Sequence, residues 1–143
     1  MKQDYVLGFV FDPTGEAVLL QLKKKPDWMR NRFNGIGGHV EPGEAPGLAM
    51  SREAGEEAGL GELSWQQVCE LRGEGFCIYV YASFTEEIGD HEAPGGSEML
   101  KIVPTDKLPA SCIPNLHWLI PMALSLTRGE SAQSFVVTEQ SRS

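Results

Sequence analysis

The chain has 143 residues, a length that suits one domain with one core. Hydrophobic residues make up 41% and charged residues 22%, an ordinary globular composition, and no apolar run approaches the roughly 20 residues that cross a bilayer. Twelve basic against twenty acidic residues give a formal net charge of −8, which argues against a nucleic acid polymer as partner, since that affinity rests on Lys and Arg meeting phosphates.

Residues 5–11 alternate in part and are rich in β-formers, which predicts a strand. Asp12-Pro13-Thr14-Gly15 is a turn signal, and residues 17–22 return as a second strand ending in Lys23-Lys24-Lys25. Residues 26–34 read as a loop exposing Trp28, Met29, Arg30 and Phe33. The glycines of Gly35-Ile36-Gly37-Gly38 imply a turn, or backbone close to something, and Glu41-Pro42-Gly43-Glu44 a further turn. Pro46 suits the first turn of a helix and Gly59 the position past its end, so a helix is predicted over 46–58. Strands follow over 64–71 and 76–84, then a polar, mobile loop over 86–97. A strand over 98–103, an amphipathic helix over 116–127 bent by Pro121, and a last strand over 134–138 complete the chain. The pattern predicts one α+β domain over residues 1–143, a mixed sheet layered between helices.

The opening residues do not read as a signal peptide, because their apolar part is short, alternates and follows Asp4. Cys69, Cys77 and Cys112 are odd in number and lack CxxC spacing, which predicts reduced thiols in a cytoplasmic protein. His39 and His117 lack metal-ligand spacing and read as surface residues.

The segment Gly38 to Leu60, GHVEPGEAPGLAMSREAGEEAGL, crowds five glutamates around one arginine. At roughly 100° per residue, Glu57 lies about 40° to one side of Glu53 and Glu56 about 60° to the other, so the three share a helix face. Leu48, Ser51, Ala54, Gly55 and Ala58 occupy the far face, which is expected to pack closely on the sheet. Such an acidic face is either simply solvated or a cation site. No lysine lies between Glu41 and Lys101 to pair with it, and a glycine segment precedes it that can aim carbonyls into the same space. Carboxylates plus carbonyl oxygens are the ligand set of hard divalent cations.

Gly38, Glu44, Arg52-Glu53, Ala54, Glu56-Glu57, Gly59 and Leu60 match the signature of the Nudix hydrolase family at every fixed position. Seven fixed positions match by chance on the order of 10⁻⁸ per start point. The resemblance implies the Nudix fold, an α/β/α sandwich. It implies that Glu53, Glu56 and Glu57 bind Mg²⁺ or Mn²⁺ with the carbonyl of Gly37. It also implies that Arg52 pairs with Glu44, a structural role steadying ligands that Arg52 does not touch. Glu98 stands where similar enzymes place a metal ligand or base; a plain loop acid is the other reading. The family cleaves a nucleoside diphosphate linked to a further group, so a nucleotide is the expected partner, with no membrane, and a monomer or homodimer the expected state.

Three outer features resemble the oxidised-purine nucleoside triphosphatases: Phe33-Asn34-Gly35, the SEML segment at residues 97–100, and PNLHWLIP at residues 114–121. Those enzymes carry paired aspartates where this chain has Asn115 and Leu116. Asn34 and Asn115 are base-contact candidates, Phe33 and Trp118 stacking candidates, and Lys23, Lys24, Lys25 and Arg30 candidate phosphate contacts. Gly38 joins them at the substrate side. The leading expectation is a Mg²⁺-dependent pyrophosphohydrolase of nucleoside triphosphates, including 8-oxo purines. A hydrolase of nucleotide conjugates such as ADP-ribose and a silent nucleotide-sensing module remain open.

Overall fold

The computed structural model describes residues 2–90, 98–127 and 135–138. The Asp12–Gly15 turn closes with the Gly15 N–H donating to the Asp12 carbonyl at 3.0 Å and the Asp12 N–H to that of Ala17 at 3.1 Å. It folds strand β1 (Gln3–Phe11) back onto β2 (Ala17–Leu22), pairing Val10 with Leu19 and Phe11 with Val18. Toward its N-terminus β1 leaves β2 and pairs instead with β4 (Ile36–His39), from Tyr5↔His39 to Gly8↔Ile36. The edge of β2 that β1 vacates is taken by the two-residue strand β3 (Phe33–Asn34), with Gln21 opposite Asn34 and Leu22 opposite Phe33. The chain therefore changes partner strand at Gly35.

Of the two readings of the glycine run the turn does not form: Ile36, Gly37 and Gly38 lie in β4, and the alternative, backbone close to something, holds. Close approach explains the composition. A Cβ on Gly35 would stand 2.6 Å from the Gly8 carbonyl oxygen, and one on Gly37 would collide with that of Val6.

On its other edge β1 pairs in parallel with β6 (Phe76–Phe84) along its whole length. β5 (Gln66–Gly73) lies antiparallel to β6, and β8 (Phe135–Thr138) parallel to β5. β7 (Met99–Pro104) covers the remaining edge of β2. The sheet is thus mixed, as expected, with one helix on each face.

Strand alternation sorts the core into two layers. Val6, Val10, Leu19, Ile36 and Tyr81 meet helix α1 (Pro46–Ala58) through Ala49, Met50, Ala54 and Ala58. Leu7, Phe9, Phe11, Val18, Leu20 and Val80 meet helix α2 (Leu116–Thr127) through Leu116, Leu119, Ile120 and Ala123. α2 runs in one piece through Pro121.

Pro46 opens α1, and Gly59 ends it in the left-handed conformation at φ 64°, its N–H donating to the Gly55 carbonyl at 3.1 Å. The face predicted to pack is wrong in part: Leu48 is 67% exposed and Ser51 and Gly55 are exposed. A Cβ on Gly55 would meet only ordinary contact with the Leu60 carbonyl oxygen, so close packing does not explain that glycine. The buried stripe falls at Ala49, Met50, Ala54 and Ala58, which brings Glu53 and Glu57 to its border.

The predicted 26–34 loop contains a 3₁₀ turn at Asp27–Met29 as well as β3. Residues 86–90 also form a 3₁₀ turn, and the mobile loop expected beyond them falls on residues 91–97, outside the described residues. The three cysteines are free and buried. Among the described residues no helix is long and apolar enough to cross a membrane, which says nothing of β-barrels.

Candidate active site

The site forms where β1 parts from β2 and α1 crosses above. The Glu41–Glu44 turn sets one wall. The Glu44 N–H donates to the Glu41 carbonyl at 3.0 Å, Gly43 takes φ 77°, and the Glu41 N–H donates to Glu44 Oε1 at 3.0 Å. Glu44 then takes Arg52 in a two-pronged bond, Nε to Oε2 at 2.9 Å and Nη2 to Oε1 at 3.0 Å. These bonds hold the Glu44 carboxyl below its ordinary range and the Arg52 guanidinium above its own.

Arg52 does more than the expected structural pairing. Its Nη1 donates to Glu53 Oε1 at 2.7 Å and to Glu56 Oε2 at 3.3 Å, and its Nη2 to the His39 carbonyl at 3.0 Å. Arg52 therefore touches two of the three expected cation ligands. The glutamates are partly neutralised by the protein itself, contrary to the expectation of an unpaired cluster.

Glu53 and Glu57 lie together against the sheet. Gly38 on β4 faces Glu53 so closely that a Cβ there would stand 2.7 Å from the carboxylate. Burial first, and then the charge of Glu53, push the Glu57 carboxyl up to about 8. Lys23 and a hydrogen bond from Gln21 pull the other way. Glu57 Oε2 is buried and has no hydrogen-bond partner among the described residues. Glu56 differs from both: its side chain is 60% exposed and turned to Arg52. Among the described residues no three His, Cys, Asp or Glu side chains stand converged for a metal.

Glu53 and Glu57 nevertheless fit a hard divalent cation. A buried carboxylate oxygen with no partner, beside a second carboxylate and a glycine that leaves no room for a side chain, is a costly arrangement unless positive charge enters.

Glu98 precedes β7 and is held by the residues that follow β2. Lys23 Nζ donates to its Oε1 at 3.1 Å and the Lys24 N–H to its Oε2 at 2.7 Å. Lys24, Lys25 and Arg30 are exposed. Asn34 Oδ1 accepts from the Gly35 N–H at 2.9 Å, fixing the side chain where the chain changes strands.

Phe33 is not the exposed loop residue expected: it is 9% exposed in the α2-side core, with Lys101 Nζ 5.9 Å from its ring centroid. Its carbonyl accepts from the Ile113 N–H at 2.8 Å, which places the start of the 114–121 segment beside β3. There Asn115 Oδ1 is buried without a partner among the described residues, and Trp118 is 44% exposed on α2. His39 and His117 are exposed, as expected.

Gln21 escaped the sequence reading. It is 2% exposed on β2, and its Oε1 is buried without a partner among the described residues. Such an oxygen costs about 1–3 kcal/mol when left unpaired. The available signal was one amide in the apolar run AVLLQL.

A family model described as the NUDIX domain matches residues 1–120. No curated protein matches the chain. Solved structures share its fold. A NUDIX-family hydrolase from Clostridium perfringens is 24% identical at TM-score 0.72, over 88% of this chain and 98% of that one. A MutT NUDIX hydrolase from Burkholderia pseudomallei is 18% identical at TM-score 0.73, over 85% and 98%. The NUDIX domain of Shewanella oneidensis NrtR, complexed with ADP ribose, is 15% identical at TM-score 0.74, over 89% of each chain. With the family model covering most of its length, and with the acid-bearing helix and glycine strand in place, the chain belongs to the Nudix family of pyrophosphohydrolases.

Proposed function

We propose that the protein hydrolyses a nucleoside triphosphate to a monophosphate and pyrophosphate with Mg²⁺ or Mn²⁺, and that modified purines such as 8-oxo forms are among its bases. The observation that carries this reading is the buried, unpartnered Glu57 Oε2 beside Glu53. A site so anionic, in a chain of net charge −8, repels a polyphosphate unless a cation intervenes.

Glu53, Glu57 and the carbonyl of Gly37 would hold that cation, joined by Glu56 once it turns from Arg52. A cation held there would neutralise charge developing on phosphate oxygens and acidify the attacking water. Arg52 keeps Glu53 oriented from the far side. Lys23 offers a second positive charge to phosphate oxygens, and Glu98 holds it in place through Nζ. Both Glu98 oxygens are engaged, on Lys23 and on the Lys24 N–H, so its part in this reading is positioning rather than proton transfer.

On the base side, Asn34 and Asn115 present amides, and Asn115 brings a buried acceptor with no partner among the described residues. Trp118 offers an exposed ring for stacking. Phe33, being buried, serves as a wall behind Lys101 rather than as a stacking platform. An amide at position 115 accepts and donates, which suits a purine edge.

Hydrolysis assays with dGTP, its 8-oxo form and ADP-ribose, with phosphate and pyrophosphate detected separately, test the reading. Pyrophosphate released from a triphosphate supports it. Turnover of ADP-ribose alone favours a conjugate hydrolase, a second reading prompted by the shared fold with a NUDIX domain complexed with that ligand. A rise in melting temperature with a nucleotide, without turnover of any, indicates a sensor.

A further inference from the structure

Gln21 is out of keeping with its strand. β2 is otherwise apolar, and Gln21 and Ser83 are the buried polar residues among those described. Alternation places Gln21 on the face of Leu19, toward α1. Its register neighbours on that face are Asn34 of β3 and Leu100 of β7. Glu57, with its own buried oxygen, approaches from α1, and the Gln21 amide is near enough to influence its carboxyl.

Two oxygens here have no partner among the described residues, Gln21 Oε1 and Glu57 Oε2. An aliphatic residue at position 21 would extend the core without leaving such an oxygen. With Glu57 in its anionic form both atoms are acceptors, so what satisfies them together must bring positive charge, hydrogen-bond donors, or both. A hydrated divalent cation brings both: its charge suits the carboxylate, and its water hydrogens suit an amide oxygen.

We propose that Gln21 is a positioning residue of the cation site, its amide N–H orienting Glu57 and its carbonyl oxygen accepting a hydrogen bond from a water on the cation. The inference rests on the reading of Glu53 and Glu57 as cation ligands. It extends the site from the signature helix to the opposite wall, on β2.

The test is Mn²⁺ binding without nucleotide, read by electron paramagnetic resonance of the free ion. Gln21→Met keeps length and volume but can neither donate the bond nor accept it, and Gln21→Leu serves as a second variant. Both should raise the Mn²⁺ Kd by about ten-fold or more, while melting temperatures in chelator hold or rise. A residue that merely fills the core would leave the Mn²⁺ Kd alone. An unchanged Kd in either folded variant overturns the proposal, as does melting of both variants below assay temperature in chelator. Glu57→Gln separates the two levels. If it binds Mn²⁺ as tightly as the parent, the reading of the acidic site itself fails. If it weakens binding while both Gln21 variants do not, only the role of Gln21 falls.

Discussion

Gly38 and Glu53 are matched in shape: the glycine on β4 leaves the space into which the Glu53 carboxylate fits. An alanine there would bring its Cβ within 2.7 Å of the carboxylate, and the end of that flexible side chain would give way. Gly38→Ala should therefore weaken Mn²⁺ binding and turnover by about ten- to a hundred-fold. Because the backbone need not move, the melting temperature in chelator should shift by less than about 4 °C. Calorimetry beside a metal titration checks this; a large drop in melting temperature with unchanged metal affinity would count against it.

Arg52 links the Glu41–Glu44 turn to the acids of α1. Lysine keeps the charge but lacks the planar fork, so Arg52→Lys should lose the two-pronged bond to Glu44 and the hold on Glu53. Turnover at limiting Mg²⁺ should fall by about ten-fold or more, with partial recovery at saturating Mg²⁺. A loss independent of metal concentration would place Arg52 outside the cation site.

Glu57 makes the metal-free protein sensitive to pH. Its carboxyl is pushed up to about 8 in the fold, against an ordinary value of 4.5, so the native state binds the extra proton between these limits. Stability falls with rising pH wherever the native state holds more protons than the unfolded chain, so this contribution is lost progressively across that window. Glutamine carries no such charge. In chelator, the melting temperature of Glu57→Gln minus that of the parent should become steadily more positive from pH 5 to about 8. A flat difference refutes the burial of this charge.

Glu98 separates two roles by magnitude. Removing a general base costs about 10²–10⁴-fold in rate. Glu98→Gln keeps an acceptor for the Lys24 N–H and loses the ion pair with Lys23, so a loss below about ten-fold is expected in steady-state turnover. A fall of a hundred-fold or more would make Glu98 the base.

The sequence makes some of this architecture plain and hides the rest. Pro46 and Gly59 punctuate α1 because one fixes φ and the other tolerates the left-handed turn, effects confined to single residues. The run Gly35–Gly38 misleads, because glycine marks both turns and close approach, and only the neighbouring Gly8 and Val6 backbone decides between them. The packing face of α1 was misplaced because its small residues give a weak apolar stripe, so the sheet, and not periodicity, chooses Ala49, Met50, Ala54 and Ala58. Phe33 looks exposed in a polar stretch, but pairing with Leu22 carries it inward. Glu53, Glu56 and Glu57 look equivalent on a helical wheel; contact with β4 and with Arg52 divides them. Gln21 is invisible to motif logic because its significance depends on Glu57, far downstream in the chain.

The fork in β1 divides responsibility along a single strand. Residues 5–8 carry β4, Gly38 and through them the acids of α1, whereas residues 10–11 carry β2 with its amide and its lysines. Sequence drift beyond Lys23, through β3, can then retune which molecules are admitted while the acid-bearing branch and Gln21 keep their geometry. Chimeras that exchange only residues 24–34 between relatives should transfer preference without transferring, or destroying, the capacity to cleave.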